Sequence, residues 1–230
     1  MQLLEHTEPT ALRISAPPTF TMRWLIPRIS AFQRKRGGVE VKLTTSTAPV
    51  NFEDRIYDVA IRGSNQPIPG MLSVPFMTET IVPVCHPDLM ENGQLDYPKL
   101  LANHTLISYD TEPMAWSEWL SMASQPDLRV FHSLQFEQMY FALQAAAEGL
   151  GVVLVPLFLV VDDIIAGRMC APFGLLGARQ RRYYANASLS THESPIIAGF
   201  CEWLLKEGQD TEQSIDQWSS AMGWTPSMPS

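Results

Sequence analysis

Apolar residues recur along this chain with two periods. Alternation marks strands, and a spacing of three or four marks helices, because side chains switch faces along a strand and return to one face of a helix about every 3.6 residues. Residues 11–16 (ALRISA) alternate, and Pro17-Pro18 break the strand. Thr19 or Thr21 is placed to cap the helix that follows, which turns Trp24, Leu25, Ile29 and Phe32 inward. Pro27 lies inside that helix and predicts a kink, Arg34, Lys35 and Arg36 complement its C-terminal dipole, and Gly37-Gly38 ends it. Residues 39–44 (VEVKLT) and 57–62 (YDVAIR) read as the second and third strands, with a short helix over 51–55.

Farther along, 71–84 contains two extended stretches, 71–76 and 80–84. Short helical pieces are predicted at 86–90 and 97–102, strands at 106–109 and 134–136, and a helix at 116–123. Residues 138–148 form an alanine-rich helix stopped by Gly149, followed by a strand at 152–155 and a helix that Pro156 opens and that runs to about Gly167. A late strand covers 183–188 and an amphipathic helix 195–206. The polar, nearly aperiodic ends, 1–10 and 207–230, read as flexible. Strands alternating with helices argue for α/β layering around a largely parallel sheet.

Composition narrows the function classes. Of 230 residues 46% are hydrophobic and 17% charged, which is the composition of a folded chain with a sizeable core. With 16 basic and 24 acidic residues the net charge is −8, so no overall field draws in nucleic acid or an acidic membrane. Cys85, Cys170 and Cys201 are odd in number and lack CxxC spacing, which suits reduced buried thiols and a cytoplasmic location. The start has no basic and apolar leader pattern, and the most apolar run, 149–161, is too short to cross a bilayer. No membrane partner is expected.

Catalytic patterns are missing. There is no GxSxG elbow, phosphate-binding Walker loop or HExxH pair. Gly149-Leu150-Gly151 follows a helix and precedes a strand, the reverse of a dinucleotide loop, and reads as a helix stop with close packing. His6, His86, His104, His132 and His192 show no metal-site spacing, and Asp162-Asp163 reads as a solvated helix face. No catalytic residue, metal or cofactor is expected.

Four segments, in order, resemble the effector-binding domain of LysR-type transcriptional regulators: 12–43 (LRISAPPTFTMRWLIPRISAFQRKRGGVEVKL), 57–64 (YDVAIRGS), 136–156 (FEQMYFALQAAAEGLGVVLVP) and 183–188 (YYANAS). The similarity covers about 11–206 and is nearest the branch with the glycine-cleavage activator and the β-lactamase regulators. It implies an α/β fold of two Rossmann-like lobes joined by two crossover segments, of the type 2 periplasmic-binding-protein kind. Lobe one would be 11–82 plus 186–206 and lobe two 83–185, each with its own sheet, the crossovers falling near 81–84 and 184–187. It also implies an effector cleft between the lobes, a homodimer or homotetramer, and DNA contact only through an N-terminal winged helix-turn-helix that this chain does not carry. The chain thus reads as an excised domain.

In open α/β sheets ligands lie at the carboxyl ends of strands, near helix N-termini that favour anions. Thr19 and Thr21, Ser46 in the run 44–47, and Arg62 at the end of YDVAIR are the lobe-one candidates, each with a plainer alternative: N-capping for the threonines, a salt bridge to Asp58 or Glu53 for the arginine. On lobe two the rim residues are Tyr109 and Glu137. Glu137-Gln138-Met139 stands where the branch often has an aspartate and a small polar residue, which changes the charge and volume offered to an effector. Tyr183 aligns with an aromatic that can face the effector, or it fills the core. Arg179, Arg181 and Arg182 form a basic cluster read as a solvent-facing loop. The ligand implied is a small anionic or zwitterionic effector. A free-standing solute-binding protein and a two-lobe enzyme are the competing classes.

Overall fold

The computed structural model describes residues 11–37, 39–53, 56–90, 101–129, 131–191 and 194–224. The ends 1–10 and 225–230, most of the helix expected at 97–102, the end of that expected at 51–55, and His6 and His192 lie outside these residues. The chain forms two compact units, one up to Met77 together with Arg182–Asp210, the other Thr78–Arg181 together with the chain from Thr211 onward. The divides fall at 77/78 and 181/182, a few residues before the expected crossovers, and a third passage occurs at 210/211.

In the first unit β1 (Ala11–Ala16) pairs in parallel with β2 (Glu40–Thr45) on one side and β3 (Val59–Ser64) on the other. The C-terminal half of β8 (Arg179–Ser188) runs antiparallel to β3, with Arg62 opposite Tyr184 and Gly63 opposite Tyr183. After Pro17 the chain enters α1 (Pro18–Phe20), one π-helical segment (Thr21–Leu25) and α2 (Ile26–Lys35). Pro27 brings no N–H to the helix, and just ahead of it the Ile26 N–H bonds back five residues to Thr21 O, so a π turn stands beside the predicted kink. Phe20 stacks on Trp24 and on Tyr183 at 5.1 Å each, and Phe32 meets Phe200 edge-on at 5.2 Å, which seals the helices to the sheet. Residues 51–53 are a turn held by the Glu53 N–H on Asn51 Oδ1 rather than helix.

In the second unit the C-terminal part of β4 (Met71–Val84) pairs antiparallel with β7 (Val152–Pro156), which pairs in parallel with β5 (Leu106–Tyr109), and β5 with β6 (Ser133–Phe136). Every residue of β7 is buried, as its unbroken apolar run requires of a central strand. Helices α3 (Ala115–Met122), α4 (Met139–Ala147) and α5 (Val161–Ile165) complete the layer. Gly149, at positive φ, closes α4 with paired bonds, Gly149 N–H to Ala146 O and Leu150 N–H to Ala145 O, and a Cβ on Gly151 would lie 2.2 Å from Thr105 O. The glycines do stop a helix and pack closely. Pro156 opens only a 3-10 turn (Leu157–Leu159) before α5, where Asp162 and Asp163 occupy the first turn instead of mid-helix.

Two expectations change. β4 and β8 are single long strands, each running across a divide, where two stretches, 71–76 and 80–84, and a shorter strand, 183–188, are expected. The segment 207–221, taken for a tail, completes the 27-residue helix α6 (Pro195–Ala221). Its buried positions beyond 206 include Thr211 and Ser219, spaced at eight, so a helical stripe exists but is written in small polar side chains.

Candidate functional site

Three parallel strands place their carboxyl ends on one edge of the first unit, and there the chain builds a rim. The Ser46 N–H donates to Ala16 O at 2.9 Å, extending the β1–β2 ladder by one step, and Ser46 Oγ accepts from the Ala48 N–H at 3.1 Å, which turns the chain back over the strand ends. Arg62 lies across this turn. Its Nε donates to Ala48 O at 3.0 Å, Nη1 to Ser15 O at 3.2 Å and Ile61 O at 2.8 Å, and Nη2 to the buried Ser15 Oγ at 3.2 Å.

All four acceptors are uncharged. The guanidinium has five N–H groups, so one remains to offer, and no carboxylate among the described residues pairs with it. Burial pulls its pKa below the ordinary arginine value, with Tyr57 and Tyr183 opposing. Asp58, the partner weighed above, instead binds Arg13, which donates from Nη2 to Oδ1 at 2.6 Å and from its backbone N–H to Oδ2 at 2.8 Å. Asp58 precedes β3 whereas Arg62 stands near its far end, roughly 13 Å along an extended chain. Glu53 does not reach Arg62 either.

Thr19 and Thr21 are both buried at the start of the helical run. Neither caps it with a side-chain bond; Pro17 is the N-cap residue. Thr21 N–H bonds to Pro17 O at 2.9 Å, while its buried Oγ1 has no hydrogen-bond partner, a condition shared among the described residues only by Trp203 Nε1. A buried hydroxyl without a partner costs about 1–3 kcal/mol, which marks the position as unusual.

The remaining candidates divide. Tyr109 is 2% exposed and its hydroxyl donates to Leu154 O at 2.9 Å, so the phenol is committed to the core of the second unit, and burial raises its pKa. Tyr183 fills the first unit's core between Phe20 and Phe76. Both rings are therefore interior. Glu137 is exposed in the second unit, one residue past β6 and before Gln138, the N-cap residue of α4.

Of the basic cluster, which lies on a strand and not in a loop, only Arg182 is exposed. Arg179 and Arg181 lie on β8, and Arg181 binds both the fully buried Glu79 of β4 and Glu112, while Arg179 binds Glu112, at 2.9 Å, and Glu118. Burial raises the Glu79 carboxyl above its ordinary range, with Arg181 pulling the other way. For Arg181, burial would lower the pKa, but Glu79 and Glu112 outweigh it and hold the guanidinium charged. The sequence alone missed these acids because they lie about 70 and 100 positions from the arginine.

Two surface hollows of about 530 Å³ each occur in the first unit, one lined by Val50, Asn51, Phe52, Gly70, Met71 and Ser188 among others, the second by Arg36, Val39, Pro195 and Ile196 among others. Neither involves Arg62 or the threonines. Among the described residues, no group of three or more His, Cys, Asp or Glu is arranged to hold a metal, and no helix is long and apolar enough to cross a membrane.

Residues 6–209 match the family described as LysR substrate binding domain. The chain is 30% identical over 212 residues to the HTH-type transcriptional regulator PerR of Escherichia coli, covering 90% of this chain and 69% of that protein. It is 31% identical over 209 residues to the glycine cleavage system transcriptional activator of the same organism, covering 89% and 67%. In structure it resembles the effector domain of the transcriptional regulator AmpR of Pseudomonas aeruginosa with a TM-score of 0.75 at 24% identity, covering 90% of this chain and 99% of that one.

Proposed function

Because the chain belongs to the LysR-type transcriptional regulators, as their effector-binding domain, we propose that the strand-end rim around Arg62 binds the carboxylate of a small anionic or zwitterionic effector. The relatives are transcriptional regulators, so the solute-binding and enzyme alternatives are set aside in favour of a sensing role. The observation that carries the reading is a half-buried arginine held on four neutral acceptors with no carboxylate beside it among the described residues.

Such a guanidinium is positioned, partly desolvated and short of a counter-charge, and a carboxylate supplies that charge through short, charge-assisted bonds. The first-turn N–H of Thr19 and the unpaired Thr21 hydroxyl add donors of the kind an anion's remaining oxygens take. Ser46 shapes the rim through its turn. Calorimetry with a panel of amino acids and small carboxylates, run on the native chain and on Arg62→Ala, tests the reading.

The same proposal includes self-association and a cytoplasmic place of work, with DNA reached through a helix-turn-helix module. Met22 and Ile26, one helical turn apart, are 56% and 52% exposed, and Phe141 on α4 and Ile165 on α5 are likewise exposed. Apolar residues in that arrangement suit an isologous dimer in which helix 21–36 of one copy meets α4 or α5 of the other. Ile26→Glu is expected to shift the chain toward monomer in light scattering.

A further inference from the structure

Cys85 and Cys170 are 85 positions apart in sequence, yet their sulfurs lie 3.5 Å from each other. Cys85 directly follows β4, and Cys170 lies on the segment between α5 and β8. The two residues exchange both backbone bonds, Cys85 N–H to Cys170 O at 3.0 Å and Cys170 N–H to Cys85 O at 2.9 Å, and so form an isolated antiparallel bridge. Residues paired in this way have Cα atoms about 5.5 Å apart and side chains on one face, which falls inside the range a disulfide spans. Cys85 is fully buried against Ile81, Leu101, Trp119 and Val152, whereas Cys170 is half-buried and packs on the edge of that cluster.

We propose that Cys85 and Cys170 form a thiol pair that a hydroperoxide converts reversibly to a disulfide, with Cys170 the attacking sulfur and Cys85 the resolving one. Either sulfur can donate in the bond between them, and Cys170 Sγ also lies 3.6 Å from Cys85 O. When Cys85 donates, the Cys170 thiol is lowered and the Cys85 thiol raised, and burial of Cys85 acts in the same direction, while Cys170 is the more exposed of the two. The Cys170 thiolate attacks the peroxide oxygen: an S–O bond forms, the O–O bond breaks, and the departing alkoxide takes a proton as the alcohol. The Cys85 sulfur, giving up its proton, then attacks the sulfenic sulfur; an S–S bond forms and the S–O bond breaks, releasing water. Two thiols and one hydroperoxide thus give one disulfide, one alcohol and one water. The linkage ties the end of β4 to the segment that leads into β8. Cys201 stands apart, its thiol raised to about 11 by burial alone.

The test treats the reduced chain with hydrogen peroxide, removes the oxidant, unfolds the protein and titrates thiols. The count is expected to fall from three to one, with the mass lower by two hydrogens, a Cys85–Cys170 linked peptide after proteolysis, and recovery with dithiothreitol. The oxidised chain is expected to melt several degrees higher, since the bond closes a long loop. Cys201→Ser should lose both of its remaining thiols, and Cys170→Ser should keep both of its own. Three surviving thiols, a link through Cys201, or loss of thiols in Cys170→Ser would overturn the proposal.

Discussion

Arg62 in the first unit and Arg181 in the second are both half-buried strand arginines, the one donating four hydrogen bonds and the other three, and their surroundings differ in charge. Arg181 meets two carboxylates, Glu79 and Glu112, and those charges hold its pKa up against burial. Arg62 meets two kinds of neutral oxygen, three carbonyls and a serine hydroxyl, and burial holds its pKa down. One charge is neutralised inside the fold, and the other meets no carboxylate among the described residues. An arginine's partners, more than its burial, thus separate a residue that completes a core from the one proposed above to bind a carboxylate.

Removing the internally paired arginine has the largest expected effect. Arg181→Met leaves Glu79 buried without its counter-charge and should cost about 3–5 kcal/mol in denaturant unfolding at neutral pH. In that variant the folded-state pKa of Glu79 stands still farther above its unfolded value. The folded state is then favoured below the ordinary carboxylate range and loses stability as pH rises through it, so the penalty should shrink in acid. A pH-independent penalty, or Glu79→Gln failing to restore stability to Arg181→Met, would break the contrast between the two sites.

Arg62→Ala should instead keep the fold and weaken effector binding by roughly 1.5–3 kcal/mol, the range for a hydrogen bond to a charged group. Arg62→Lys keeps the charge but loses the fork and should fall between the two.

Much of this frame is legible in the sequence. The strand-break-helix run from Ala11 to Lys35, the strands 106–109 and 152–155, and Arg62 near a strand end all follow from local pattern, because each is decided by neighbours within a few positions. What was not legible depends on distant partners. Arg179 and Arg181 read as solvated until Glu79, Glu112 and Glu118 are brought against them, and Cys85 meets a residue 85 positions away. Tyr109 ends β5 as a rim residue would, and Tyr183 begins the late strand that the sequence pattern predicts but lies in the middle of β8; only the tertiary fold shows that their rings are interior. The second half of α6 escaped notice because its buried stripe includes Thr211 and Ser219, polar residues that hydrophobic periodicity does not count.

Thr21→Val sharpens the comparison at a finer scale. It removes a buried hydroxyl that has no partner while preserving shape, so the free chain should be unchanged or more stable by about 1 kcal/mol in thermal unfolding, and effector affinity should fall. A loss of stability without a change in affinity would make Thr21 a structural residue. The smallest effect belongs to a half-exposed pair: Arg13→Ala, which takes the guanidinium from Asp58 but leaves the backbone N–H bond, should cost no more than about 1 kcal/mol and leave effector affinity untouched.

The most direct test of the uncompensated charge at Arg62 is a thermal-shift titration of the native chain and of Arg62→Ala with amino acids and small carboxylates, each beside its uncharged amide. At about one hundred times its dissociation constant a true effector adds about 2.7 kcal/mol to stability. The account predicts that at least one carboxylate raises the melting temperature of the native chain, that its amide does not, and that Arg62→Ala loses the shift while melting cooperatively on its own. Equal shifts from a carboxylate and its amide, or the same shift in Arg62→Ala as in the native chain, would contradict it.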